Sequence, residues 1–349
     1  MHMADALLSP AVGTTFWAAS LAVISYSAKK LKENLDEKTI PLMGVLGAFI
    51  FAAQMINFTI PGTGSSGHLG GGMILAVILG PYAAFLAIAS VLTMQSLFFA
   101  DGGIFALGCN MWNLGIYPCF VAYPLIYRAI VKNKMSPKKI AIASIISVVV
   151  GLQFGAFSVV LETLLSDKSE LSFKVFASMM LPIHLAIGLV EGFITAGVIN
   201  YVRIARPEIL ESVSDSKPFA PGVSIKNVFL VFLFVALITG GLISWFASTN
   251  PDGLEWSIEK IYGKEELPEQ QKGVVAKLKK LQEKTAFLPD YNFRNKDKST
   301  EQDSAVKSDN SWSDVEPGTS LSGILGAIIV LCLIFILGFA IKASRRKKT

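Results

Sequence analysis

The sequence predicts an all-α polytopic membrane protein. It reads as a seven-helix core joined to a two-helix module, nine transmembrane helices in all, with the N-terminus outside and the C-terminus cytoplasmic. Three observations carry this. Hydrophobic residues make up 52% of the chain and charged residues only 16%, with a mean hydropathy of +0.53, outside the range of ordinary soluble domains. Apolar segments run at about 6–28, 41–58, 69–99, 104–131, 140–165, 173–202, 223–247 and 320–342, most of them long enough to cross a bilayer. Basic residues cluster in four connections, 29–38, 128–139, 203–226 and the tail, which the positive-inside rule places on the cytoplasmic face.

Taken in order, the first segment has Asp5 before its apolar run and Lys29-Lys30 after it. It lacks the basic start of a signal peptide, so an uncleaved first span with its N-terminus outside is expected. Segment 69–99 must cross back and forth, or the basic cluster at 128–139 would fall outside. Gly80-Pro81 offers the break, because Pro readily opens a new helix. At ~1.5 Å per residue the stretch 69–79 spans roughly half a hydrocarbon core, which predicts a short helix packed inside the protein.

The apolar pattern is interrupted at 203–222 by Pro207, Lys217, Pro218 and Pro221. This tract is expected to be a cytoplasmic linker between a core, 1–202, and a second domain, 223–349. Within the latter, 248–319 is the one long polar stretch, with 11 Lys and Arg against 14 Asp and Glu. It is expected outside, with an amphipathic helix over 268–285 and a mobile linker over 295–319.

The residues that carry chemistry begin at the first two positions. Met1-His2 offers three nitrogens in one fused chelate: the terminal amine, the His2 amide once deprotonated, and an imidazole nitrogen. Planar nitrogen sets suit Ni(II) or Cu(II), whereas zinc prefers a tetrahedron. The stretch TIPGTGSSGHLGGGM, 59–73, falls on the same external side and carries His68 among small residues that permit close backbone approach. His68 can close a four-nitrogen plane, which favours Ni(II) and leaves Co(II) and Cu(II) chemically open.

Polar residues inside the apolar spans need partners. His184 and Glu191 lie on one helix face, as do Asn110 with Asn113 and Gln54 with Asn57. Interhelical hydrogen bonding is their ordinary role; a set that orients the metal-binding rings is the alternative, with Asn110, His184 and Glu191 the candidates. Met3, Met55 and Met73 are soft donors that more often serve packing. Glu191 is the one acid expected deep in the core. Cys109, Cys119 and Cys332 sit in apolar stretches, so neither a disulfide framework nor a thiolate cluster is indicated. The sequence has no Walker-type phosphate loop, so any ATP dependence must come from a partner.

The stretches MHMADALLSP, PLMGVLGAFIFAAQMINFTIPGTGSSGHLGGG and Leu107-Gly108-Cys109-Asn110 resemble the CbiM/NikM family, the substrate-specific components of energy-coupling factor transporters for cobalt and nickel. Pro251-Asp252-Gly253-Leu254-Glu255, followed by Trp256-Ser257, resembles the hallmark of the small CbiN/NikN accessory component, here fused at the C-terminus. The resemblance implies a seven-helix core with the N-terminus folded into a pocket. It implies metal ligation by the Met1 amine, the His2 amide and imidazole, and His68. It further implies an accessory half whose external loop assists metal loading, and partners in the form of a transmembrane coupling (T) component and two ATP-binding cassette ATPases. The setting it implies is a bacterial or archaeal cell membrane.

The resulting expectation is a subunit that captures Ni(II) outside for ATP-driven uptake. It is not an enzyme, has no catalytic cofactor beyond its transported metal, and has no nucleic-acid partner. Cobalt is the alternative cargo, although cobalt-type members often begin with a different, MHIMEG-like start. In another class, a self-sufficient metal channel or secondary transporter would often show internal repeats, and none is evident in the sequence.

Overall fold

The structure, a computed structural model, describes residues 2–33, 36–132, 135–168, 170–215, 222–268, 273–293 and 317–346. Met1 and most of the tract 295–319 lie outside the described residues; 317–319 open the last helix.

Helix α1, Pro10–Glu33, begins with Pro after Ser9, whose hydroxyl accepts from the Val12 N–H, and ends on Lys30 and Lys32. Both ends therefore satisfy orphan backbone groups or the helix dipole. Helix α2, Thr39–Gln54, is the centre of the fold, with an unbroken buried run from Leu42 to Gln54. After it comes a small antiparallel hairpin, β1 Phe58–Ile60 and β2 Ser65–Gly67, with Phe58 opposite Gly67. Helix α3, Gly72–Leu79, is buried at all eight positions, and α4, Pro81–Phe99, follows directly. The break between them is where the sequence places it: Gly80 has φ 79°, a conformation Pro81 then converts into a new helix start.

Helix α5, Leu107–Val131, is wound wide over Trp112–Tyr127, with Pro118 and Pro124 inside. Each proline removes a backbone donor, which disrupts regular α-helical bonding. Helices α6, Pro137–Leu165, and α7, Phe173–Ala205, pair along their lengths. A side chain at Gly192 would stand 2.7 Å from Ile145 Cα, so small residues let these backbones close up. Along α7 the buried residues Met180, Ile183, His184, Ile187, Gly188 and Glu191 form one inward stripe.

Part of the tract 203–222, expected to be a cytoplasmic linker, is helical. Helix α7 runs on to Ala205, and α8, Pro207–Asp215, buries Ile209 and Leu210. Pro207 opens a helix at its first position instead of ending structure. Helices α9, Lys226–Gly241, and α12, Pro317–Arg346, cross where Gly240 meets Gly323, and α12 lies along α2, with Val330 and Ile334 against Gly47. Between them, α10, Gly253–Tyr262, and α11, Gly273–Thr285, form the folded part of the polar stretch, and α11 lies within the predicted amphipathic helix.

Among the described residues six helices (α1, α4, α5, α6, α7 and α12) are long and apolar enough to cross a membrane. The apolar α2 and α9 have 16 residues each, about 24 Å at ~1.5 Å per residue against a hydrocarbon core of ~30 Å.

The Gly240–Gly323 crossing has no room for a side chain: a Cβ at 323 would fall onto the Gly240 carbonyl oxygen. Gly323→Leu should therefore destabilise by about 1–3 kcal/mol through overpacking, outweighing a helix-propensity gain of roughly 1 kcal/mol. A lowered thermal midpoint in detergent is the expected result; an unchanged midpoint contradicts the packing.

Candidate metal centre

The start of the chain is threaded into the bundle. Met3 and Leu8 are fully buried, with Ala6 and Leu7 nearly so, and an irregular segment at that depth needs its backbone groups paired. Asn110 on α5 supplies the pairs: its Oδ1 accepts from the Met3 N–H at 2.8 Å, and its Nδ2 donates to the Met3 carbonyl at 3.3 Å. The Gly103 N–H donates to the same carbonyl at 3.0 Å, and Asp5 Oδ1 accepts from the Ala106 N–H at 2.9 Å. Behind Met3, Asn113 Nδ2 donates to Glu162 Oε2 at 3.0 Å and lies 3.7 Å from the Met3 sulfur; Ser158 donates to Glu162 Oε1 at 3.0 Å. Glu191 is thus not the only acid in the core, since Glu162 on α6 is 1% exposed. Its signal in the sequence is a serine one helical turn before it, which gives the carboxylate a local donor.

His68 follows β2 and is held from both sides. Glu191 receives the N–H groups of Gly70 and Gly71, each at 2.8 Å, while Gln54 Nε2 donates to the Gly70 carbonyl at 2.8 Å. Gly71 has φ 76°, so the turn after His68 requires glycine. Burial pushes the His68 imidazole down to about 3, which keeps it neutral. Its Nδ1 lies 3.1 Å from the Leu69 carbonyl oxygen. A carbonyl can only accept, so the proton sits on Nδ1 and the lone pair on Nε2. Neutral imidazole is the metal-binding form.

The structure brings His2 and His68 together, with ring centroids 4.9 Å apart and planes 5° from parallel. They stack and do not converge edge-on. His2 Nδ1 is 3.0 Å from Asp101 Oδ1, and the Tyr291 hydroxyl donates to the other Asp101 oxygen. A chelate closed through the His2 amide would use Nδ1, the atom that faces Asp101 in this structure. Burial alone would raise Asp101, but the His2 ring and the Tyr291 hydroxyl together hold its carboxyl well below the usual range. Among the described residues no group of three or more His, Cys, Asp and Glu is arranged to hold a metal; the set expected from the sequence relies on backbone nitrogens and on Met1, which lies outside them.

The C-terminal segment covers the pair. Ser66 N–H donates to the Pro251 carbonyl at 2.8 Å, Ser66 Oγ to the Asn250 carbonyl at 2.8 Å, and Trp256 Nε1 to the Thr63 carbonyl at 3.0 Å. Asp252 caps α10 by accepting from the Leu254 and Glu255 N–H groups, and its other oxygen stands 3.9 Å from His68 Nε2. That separation exceeds a hydrogen bond. Gly253 is packed on Ile183 and His184, where a Cβ would lie 3.2 Å from His184 Cε1. His184 therefore supports the Pro-Asp-Gly turn. Its Nδ1 bonds the Met180 carbonyl oxygen at 2.8 Å. On α11, Gln282 Nε2 donates to the carbonyls of Ser96 and Gly102, at 2.9 and 2.8 Å. A cavity of about 280 Å³ remains between the two parts, reaching His2, Gln54, Met55, Asn57 and His68 at its floor. Met73 packs in the core.

Sequence reasoning singled out Met1, His2 and His68, with Asn110, His184 and Glu191 as supporting candidates; Met1 lies outside the described residues, and the last three lie near the His2–His68 pair. It missed Asp101, Asp252 and Glu162. Asp252 was legible as part of the Pro251–Glu255 motif, but its approach to His68 depends on the hairpin that no local pattern announces.

Residues 2–209 match the model of the CbiM family, described as the cobalt uptake substrate-specific transmembrane region, and residues 226–343 match the PDGLE domain. A protein of Archaeoglobus fulgidus named as a fused nickel transport protein, NikMN, is 34% identical over 99% of both chains. The fused nickel transport protein NikMN of Rhodobacter capsulatus is 31% identical over 70% of this chain and 73% of its own. The cobalt transport protein CbiM of Sorangium cellulosum is 28% identical over 64% of this chain and all of its own. Among solved structures, a truncated transition metal transporter is 34% identical with a TM-score of 0.52, covering 59% of this chain and 99% of that one.

Glu191 accepts two buried backbone N–H groups, each worth about 1–3 kcal/mol if left unpaired. Glu191→Ala should cost about 2–6 kcal/mol on that basis, and Glu191→Gln, which keeps one acceptor oxygen, roughly half as much. Thermal unfolding in detergent, with hydrogen exchange at Gly70 and Gly71, checks this; equal stability of all three proteins contradicts it.

Proposed function

The chain belongs to the CbiM/NikM family, with a fused PDGLE domain, as a nickel/cobalt transport membrane component, and from that premise we propose that it captures Ni(II) outside the cell for ATP-driven uptake. In this reading the core, 1–202, binds the metal; 203–222 connects it on the cytoplasmic side; and 223–349 is the accessory domain. The basic connections support an N-terminus outside and a C-terminus inside. A T component and two ATP-binding cassette ATPases supply the energy. Nickel is favoured over cobalt because the relatives from Archaeoglobus fulgidus and Rhodobacter capsulatus that carry the fused arrangement are named for nickel.

The single observation that supports this reading is the placement of a buried, neutral His68 against His2 at the end of a chain start that the bundle has ordered. His68 presents Nε2. The Met1 amine, the His2 amide nitrogen and His2 Nδ1 complete four nitrogens, a set that suits a planar Ni(II) ion stripped of water. Asn110 fixes the backbone immediately after His2, and Glu191 fixes the backbone immediately after His68. Neither side chain is a ligand; each holds the loop that carries one.

His2→Ala, His68→Ala and a one-residue extension before Met1 should each reduce nickel affinity by more than about 100-fold, beyond the usual loss for residues outside the ligand set. Nickel uptake by cells supplying the partners should fall with it, while the thermal midpoint of the metal-free protein stays near that of the parent. Tight nickel binding by the extended protein would falsify the chelate.

A further inference from the structure

The end of the bundle that bears the basic connections holds a cleft of about 420 Å³, remote from the two histidines. Leu31, Leu42, Ile78, Leu79 and Phe120 form its apolar walls, and Val213 of α8 closes over it at Gly80. A second cavity, of about 890 Å³, adjoins it, with Pro124 and Arg128 lining both. The rims are cationic. Lys30 and Arg128 stand at the first, and Arg128, Lys132 and Arg203 at the second, against Asp36 and Glu211. Thr39 and Pro81, which open α2 and α4, also line the cleft, so two helix dipoles add positive potential there. Arg128 is exposed, and its one hydrogen bond among the described residues runs from Nη2 to the Ser214 carbonyl at 2.9 Å. A guanidinium has five donors in a fork that suits phosphate. The cleft also lies at an interfacial level. Tyr26 and Tyr82 pack edge to face at 5.7 Å, Lys30 stands 6.0 Å from the Tyr26 ring, and Phe120 packs 5.8 Å from Tyr82. Tyrosines and a lysine at the end of an apolar span mark the headgroup zone. Leu125 and Ile204, beside the lining residues, are exposed as side chains facing hydrocarbon are.

We propose that this cleft binds an anionic phospholipid from the leaflet on the side of the basic connections. Its phosphate meets Arg128 and Lys132, and one acyl chain enters between Leu42, Ile78 and Phe120. Four cations against two acids among the described lining residues select a negative headgroup. The apolar walls call for a hydrocarbon chain, which a soluble anion lacks; leaving such a cleft to water is unfavourable. The site goes beyond metal capture and does not depend on it. Because Arg128 also holds the Ser214 carbonyl, a lipid bound there braces α8 over Gly80, where α3 ends.

The test uses the delipidated full chain in detergent, with native mass spectrometry to count bound lipid. Phosphatidylglycerol should bind as one saturable molecule, on the order of tenfold more tightly than phosphatidylcholine, the scale of one charge-assisted contact. It should also raise the thermal midpoint by mass action. Arg128→Gln/Lys132→Gln, at two exposed positions, should abolish that preference. Lys138→Gln/Lys139→Gln removes the same charge from the same side, outside the residues that line the cleft, and should leave the preference intact. Val213→Trp, which fills the cleft from α8, should weaken binding of both lipids. Lipid-free thermal midpoints near the parent value verify folding, and the two charge variants decide the question even if Val213→Trp fails to fold. An equal loss in both charge variants reduces the effect to general surface charge and overturns the site. Displacement of the lipid by glycerol 3-phosphate at similar concentration overturns it too, because the ligand is then a soluble anion. Equal affinity of the parent for the two lipids, or no saturable binding, does the same.

Discussion

The pairing of Asn110 with the backbone of Met3 is the constraint on which the rest of this structure turns. A chain start is ordinarily a mobile, hydrated segment. Here it lies among apolar helices, where unpaired amides are costly, and the Asn110 side chain meets both polar groups of one residue. Burial of Met3, Leu7 and Leu8 supplies the driving force, and the asparagine makes that burial possible. His2 is then positioned by the chain itself, one residue from a fixed point.

The opposite wall follows the same logic. The loop after β2 is too rich in glycine to order itself, and its backbone is held by Glu191 from α7 and Gln54 from α2. Two histidines with no regular secondary structure of their own thus meet at 4.9 Å, each set by a neighbouring polar side chain anchored in a helix. The fused segment completes the enclosure. Its Pro251–Glu255 turn bonds β2, and its α11 bonds the loop beside Asp101. The two histidines and the segment that covers them therefore belong to different parts of the chain.

Much of this was legible in the sequence. The apolar segments, the break at Gly80-Pro81 and an amphipathic helix in the polar stretch follow from local pattern, and the structure contains them; His2 and His68 were linked by their shared external side and by the family resemblance, and the structure stacks their rings. The helical part of the tract 203–222 was not legible because prolines mark both helix ends and helix starts, and Pro207 is a start. Glu162 was missed because its second partner, Asn113, comes from another helix, so only the packed bundle shows how the buried acid is accommodated. Asp101 and Asp252 were missed for a related reason: each acts on a histidine far away in sequence, through loops whose paths are set by tertiary contacts.

The central claim is that His2 and His68 contribute to one planar set of nitrogens, although in this structure their rings stack and His2 Nδ1 is held by Asp101. The most direct measurement is the optical and magnetic character of the nickel-loaded full chain. A four-nitrogen plane makes Ni(II) diamagnetic, with the spectrum of a planar complex, and the account predicts that state. A paramagnetic, six-coordinate or tetrahedral nickel spectrum in the tightly bound protein would contradict it.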